Sequence, residues 1–96
     1  MYVRITKSAP AELVEPEVLD KLSVVIEGDA PRDLGKFGSF DGGHAWLGVA
    51  AIRNAAHATG LGEEWDERLE GMLAYAKDKG WLSSSGTALR AHVEQH

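Results

Sequence analysis

The sequence predicts a single α+β domain over residues 1–96 that is mainly α-helical, with about three helices and a small antiparallel sheet. Three observations lead to this prediction. Apolar residues recur at helical spacing through the middle of the chain, they alternate with polar residues near both ends, and glycine-rich segments separate these regions. The chain's 96 residues and 44% hydrophobic content suit one domain with one core.

The N-terminal segment Tyr2–Lys7 alternates apolar and polar residues. Because successive side chains of a strand point to opposite faces, Val3 and Ile5 would share one face of a sheet. We therefore expect a short strand here, ended by Pro10 and its small neighbours.

A first helix is predicted over about Pro16–Glu27. Proline suits the first helical turn, where the N–H that it lacks would be unpaired anyway, and the apolar residues that follow recur at helical spacing. The segment Leu22–Ile26 is also rich in β-branched residues, so a strand is the alternative there. The glycine-rich segment Pro31–Gly43 then predicts an irregular loop.

A second helix is predicted over His44–Thr59, a segment dominated by alanine. At helical spacing one of its faces carries only small residues, and such a face lets another backbone approach closely. The residues of this face are Gly48, Ala51, Ala55 and Ala58. We expect Asp41 to cap the helix, although the turn Asp41–His44 could instead cradle an anion with its free N–H groups.

The third helix, Glu63–Lys79, has the clearest pattern. Its apolar stripe is continuous, acidic residues occupy its first turns and lysines its last, as the helix dipole favours, and Gly80 suits its C-terminus. The stripe consists of Trp65, Leu69, Met72, Leu73 and Ala76.

The last segment predicts a β-hairpin, with Trp81 and Leu82 before the turn Ser83–Gly86 and a strand over Thr87–Glu94. We expect this hairpin to form the small antiparallel sheet, alone or joined by the N-terminal strand. A short helix capped by Thr87 is the alternative for residues 87–96. In the strand reading, Leu89, Ala91 and Val93 alternate with Arg90, His92 and Glu94.

The order helix, glycine-rich turn, helix, hairpin is also that of a winged helix-turn-helix. In such a fold the third helix would enter the DNA groove with its N-terminal residues. That segment carries four carboxylates, and the chain has a formal net charge of −5, so phosphates would be repelled. We expect no nucleic-acid partner. The four acidic residues are Glu63, Glu64, Asp66 and Glu67.

Composition excludes several further classes of function. The chain has no cysteine, which excludes disulfides, iron–sulfur clusters and a cysteine nucleophile. Its apolar runs are far shorter than the ~20 residues of a membrane span. The N-terminus lacks the pattern of a secretory signal, so we expect a cytoplasmic protein with no membrane partner.

The four histidines are candidate metal ligands, but their spacing argues against a site. His44 and His57 lie on one predicted helix, about 20 Å apart at 1.5 Å per residue, so they cannot bind one ion together. His92 and His96 would face together only in a helical tail. We expect no metal and no cofactor.

One helical face could line a pocket, because Arg53, Asn54 and His57 gather there beside Trp46. Arg53, Asn54 and Trp46 are then candidate ligand-binding residues. A solvated helix face is the alternative for this cluster. The candidate catalytic residues are His44, His57 and His92.

Two functions follow from these candidates. The first is a noncatalytic interaction or regulatory module that binds a protein partner or forms a homodimer. The second is a small enzyme or small-molecule-binding protein with a His/Arg-lined pocket. The second would be favoured if at least three of four side chains converge in one concave site, and the first if they are dispersed. The four are His44, Arg53, His57 and His92.

Overall fold

The computed structural model describes all 96 residues and contains two α-helices and a curled, mixed, six-stranded sheet. The predicted mainly α-helical fold with three helices is therefore wrong, since the strands hold 30% of the residues and the helices 31%. The elements are β1 (Tyr2–Ile5), β2 (Glu12–Val14), β3 (Ser23–Ile26), a 3-10 turn (Gly35–Phe37), β4 (Gly38–Asp41), β5 (His44–Gly48), α1 (Val49–Ala58), α2 (Glu63–Lys79) and β6 (Ala88–Gln95).

The sheet has the strand order β2-β1-β3-β6-β5-β4. The pairs β1–β3 and β3–β6 are parallel, and the other three pairs are antiparallel. The predicted N-terminal strand is confirmed as β1, but it reaches β6 only through β3. The predicted small antiparallel sheet is therefore wrong, because β6 pairs with β3 and β5, two segments that the prediction placed in helices.

The predicted helix Pro16–Glu27 does not form, and the strand alternative is correct for its second half, as β3. Val24 and Ile26 are buried on one face of this strand. Strands on both sides of β3 satisfy its backbone groups, and a β-branched run packs well in such a position. The segment therefore forms a strand although its apolar spacing also fits a helix, because the strands on both sides supply its backbone hydrogen bonds.

The predicted helix His44–Thr59 is a strand followed by a shorter helix. Its first five residues form β5, in which Ala45 and Leu47 are buried while His44 and Trp46 lie on the other face. A two-residue turn, Gly42 with φ of 60° and Gly43, joins β4 to β5 as a hairpin. The glycine pair is a hairpin signal that the loop prediction missed.

Gly38 is required where β4 begins. Its φ is 151°, which side chains rarely allow, and a Cβ at this position would collide with the carbonyl oxygen of Trp46 on the paired strand. Glycine therefore lets β4 approach β5 closely. The predicted irregular loop Pro31–Gly43 is wrong in this half.

Helix α1 begins after Gly48, and its first N–H, that of Val49, donates to the carbonyl of Thr87 at 2.9 Å. The predicted cap by Asp41 is wrong, because that residue ends β4. Val49, Ile52 and Ala56 form the buried stripe of the helix. Since α1 contacts both β5 and β2, the sheet curls around it.

Helix α2 has the predicted bounds, Glu63–Lys79. Gly80 adopts the left-handed conformation at its end, and the N–H of Trp81 donates back to Ala76 at 2.8 Å, as in a Schellman motif. Leu69 is 0% exposed, which confirms the predicted stripe. Neither helix is long and apolar enough to cross a membrane.

The C-terminal segment is the strand β6, not a short helix. The predicted hairpin forms only in part, because its first arm is reduced to a single bridge between Leu82 and Leu89. A winged-helix arrangement is wrong, since β6 lies inside the six-stranded sheet between β3 and β5. All the buried residues are hydrophobic, and they form one core between the sheet and the helices.

Candidate functional site

A pocket of about 720 Å³ lies where α2 and the segment before β3 meet the β5–β6 pair. Its size is within the range of small-molecule sites, ~300–1,000 Å³. Seven of its twelve lining residues are hydrophobic, and the other five are polar or charged. The lining residues are Leu19, Asp20, Lys21, Leu22, His44, Met72, Tyr75, Ala76, Trp81, Leu89, Arg90 and His92.

The pocket opens at a change of neighbours along β6. From His92 onwards β6 pairs with β3, whereas two positions earlier the N–H of Arg90 donates to the carbonyl of Trp81 at 2.7 Å. Since β3 begins only at Ser23, the preceding segment Leu19–Leu22 is outside the sheet and forms one wall. The gap exists because β3 and the segment at Trp81, which lie along the same side of β6, do not extend far enough to meet.

An aromatic pair forms the apolar side of the pocket. Tyr75 and Trp81 are 57% and 43% exposed, and they are the only large hydrophobic residues of the chain in the exposed class. Their rings stack edge to face with centroids 5.9 Å apart. Exposing two aromatic rings together costs solvation free energy, so their position at a pocket points to a binding role.

The polar side carries His44, Arg90 and His92. His44 and His92 are paired across β5 and β6, with ring centroids 6.4 Å apart. Arg90 Nη2 lies 3.2 Å from His44 Nδ1. Because a guanidinium only donates, His44 accepts at Nδ1 and its neutral ring carries the proton on Nε2. The hydrogen bond fixes both the tautomer of His44 and the direction of Arg90.

The segment immediately before the loop wall of the pocket is held by three hydrogen bonds to its backbone carbonyls. The Met1 ammonium donates to Val18 at 2.8 Å, and burial lowers the pKa of this amino group. From α2, the buried Nε1 of Trp65 donates to Pro16 at 2.7 Å, and an arginine donates to Glu17. A loop anchored at three successive residues gives a pocket that exists before any ligand binds.

The candidates Arg53 and His57 lie elsewhere, at the contact between α1 and α2. Arg53 pairs with Asp66 and Glu70, each at 3.0 Å, and His57 Nε2 lies 2.8 Å from Asp66. The ring of His57 also packs edge to face on Trp65. These side chains form a clasp that ties the two helices together, and none of them lines the pocket.

Trp46 and Asn54 are also outside the pocket. Trp46 lies on β5, and its Nε1 donates to the carboxylate of Asp41 at 3.2 Å. Asn54 is exposed on α1. Of the three predicted ligand-binding residues, Arg53 included, the structure therefore places none in the pocket.

The condition that would favour the second function, convergence of at least three of the four side chains in one concave site, is not met, because only His44 and His92 line the pocket. No group of three or more histidine or acidic side chains could hold a metal ion. His96 lies 3.4 Å from Glu94, away from the pocket.

Sequence reasoning missed Arg90, Tyr75 and Trp81 as site residues. A signal existed for Arg90, since it shares the polar face of the predicted strand with His92. Tyr75 lies beside the apolar stripe of α2, where helical spacing alone does not distinguish a core edge from a site. Trp81 was assigned to the hairpin, and no local pattern relates it to Tyr75.

The chain matches no protein-family model, no curated protein and no solved structure. Its function is therefore argued from the geometry of the pocket.

Proposed function

We propose that this chain is a noncatalytic binding module whose pocket takes a small molecule with an apolar body. The observation that carries the proposal is the exposed aromatic pair, Tyr75 and Trp81, beside a cleft of about 720 Å³. A mostly apolar cleft with few polar groups is the usual form of a small-molecule site. Of the two functions considered from the sequence, the proposal keeps the noncatalytic role of the interaction module and the small-molecule ligand of the alternative.

The environment of the two pocket histidines supports binding rather than catalysis. A histidine that acts as a general base needs a partner that orients and stabilises its charged form, commonly a carboxylate. His44 instead accepts from the cationic Arg90, and His92 faces His44 edge to face. Neither histidine hydrogen-bonds to a carboxylate, whereas His57, which does, is outside the pocket.

The test is a titration of the ¹⁵N-labelled protein with naphthamide, a neutral aromatic probe, followed by NMR. We expect the amide signals of Tyr75, Trp81 and Leu22 to shift together. Trp81→Ala removes half of the aromatic pair and should weaken binding roughly ten-fold. Trp46→Phe changes an aromatic residue outside the pocket and should leave the affinity unchanged.

Shifts scattered over the surface, or equal affinities of Trp81→Ala and the unaltered protein, would overturn the proposal. Native mass spectrometry of the protein purified from its own host gives an independent measurement. A retained small molecule that is released unchanged supports a binding module. Its conversion to a second compound during incubation would show an enzyme instead.

A further inference from the structure

Arg90 differs from the other arginines in its partner. Arg4 and Arg53 are paired with carboxylates, and Arg32 and Arg68 donate to backbone carbonyls. Arg90 donates from its side chain only to the neutral ring of a histidine. Three of the five arginines therefore lack an anionic partner, and Arg90 is the one among them that lines the pocket.

The formal charges around the pocket leave one positive charge in excess. Asp20 and Lys21 line it with opposite charges, and Arg90 is its remaining charged residue when histidine is counted as neutral, as in the formal charge of the chain. The whole chain, by contrast, carries −5. The pocket therefore complements a ligand with a single negative charge.

We propose that the ligand of this pocket is a small aromatic monocarboxylate, a proposal that rests on the binding function above. Arg90 binds the carboxylate, and the rings of Tyr75 and Trp81 pack against the aromatic body. His44 is a positioning residue, since its Nδ1 holds one N–H of Arg90 Nη2 and directs the guanidinium into the pocket. The remaining N–H groups stay available for the ligand.

Charge and geometry favour a carboxylate over a phosphate. A phosphate carries more than one negative charge near neutral pH, and the carboxylate of Asp20, which also lines the pocket, opposes the additional charge. A planar guanidinium matches the two oxygens of a carboxylate. The apolar lining also requires that most of the ligand be uncharged.

The experiment compares three probes of the same shape by NMR titration of the full chain: naphthoate, its neutral amide naphthamide, and naphthylmethylammonium. We expect naphthoate to bind roughly ten-fold more tightly than naphthamide, as one charge-assisted contact at an exposed arginine provides. The ammonium probe should bind most weakly. Phenyl phosphate is added as a fourth probe and should bind more weakly than naphthoate.

Arg90→Gln should remove the preference for naphthoate over naphthamide. Arg32→Gln is the matched control, because it removes an arginine outside the pocket and should keep the full preference. His44→Leu should reduce the preference, since no acceptor then holds Arg90. His44→Asn places an amide oxygen near the position of Nδ1 and should restore it, which a merely structural role would not produce.

The outcomes separate the two proposals. Equal binding of naphthoate and naphthamide in the pocket would overturn the carboxylate proposal and leave the binding function standing. Tighter binding of phenyl phosphate would overturn the choice of a monoanion. A preference for naphthoate that survives Arg90→Gln would remove Arg90 from the site. If no probe shifts the pocket signals, both proposals fail.

Discussion

The molecule contains two clusters of histidine and arginine, and they differ in what surrounds them. At the helix contact, Arg53 and His57 share the carboxylate of Asp66. In the pocket, His44 and Arg90 hydrogen-bond to each other and neither pairs with a carboxylate, and Tyr75 and Trp81 line the same pocket. The helix clasp is electrostatically satisfied within the chain, whereas the pocket cluster carries an excess positive charge.

This difference separates structural from functional polar residues. Ion pairs that are complete within a fold leave nothing for a ligand to bind, so the clasp serves to fix α1 against α2. A cation whose only partner is neutral gains interaction energy when an anion arrives. The same residue types therefore have opposite roles, and the presence or absence of a carboxylate decides which.

The largest expected effect is in the core beneath the clasp. Leu69 is fully buried on α2 next to Glu70, and Leu69→Ala should lower the free energy of unfolding by about 2 to 5 kcal/mol through the cavity it leaves. Chemical denaturation measures the loss. A cost below that of a surface substitution would mean that polar contacts, not packing, hold α2 in place.

A smaller effect is expected from the clasp itself. Asp66 is 25% exposed and accepts from both Arg53 and His57, so Asp66→Asn should lower the free energy of unfolding by about 1 kcal/mol. Arg90→Gln should change it by less than about 0.5 kcal/mol, since no carboxylate is left unpaired. Equal losses in the two variants would contradict the contrast between the clusters.

The smallest effect on stability is expected for a substitution on the small-residue face of α1. The same substitution also tests whether the chain forms a dimer. Ala51 and Ala55 already pack against the chain's own core, which leaves Ala58 exposed. The sequence predicts a homodimer through the second helix or the C-terminal hairpin. Because β6 has neighbours on both sides, its edge is not free to pair with a second copy, and α1 is the face to test. Ala58→Glu should then dissociate the dimer with less than about 0.5 kcal/mol of lost stability.

Analytical ultracentrifugation over a wide concentration range measures this assembly, with circular dichroism to check the helix content. A mass near 10.4 kDa at every concentration would contradict the homodimer. A dimer broken by Trp81→Ala but not by Ala58→Glu would place the interface over the pocket. The pocket cluster would then belong to a subunit interface, and the clasp would remain a contact within one subunit.

The elements with one consistent local signal follow from the sequence alone. In α2 the stripe, the charges at both ends and Gly80 all agree, and the helix has the predicted bounds. Alternation likewise predicts β1 and β6, although it left a short helix open as the alternative for β6. The failures, β3 and β5, are segments where apolar spacing fits a helix and a strand equally well. Their side chains could be buried either way, so the choice depends on whether neighbouring strands supply hydrogen bonds.

The candidate site was decided almost entirely by tertiary structure. The sequence singled out His44 and His92, but placed His44 at a helix start with Arg53 and His57 as its companions. Parallel pairing of β3 with β6 ends at Ser23 and His92, and that register opens the gap. The aromatic pair and Arg90 meet there through contacts between residues distant in sequence. Local spacing carries no information on such contacts, because a pocket is created where two elements fail to meet.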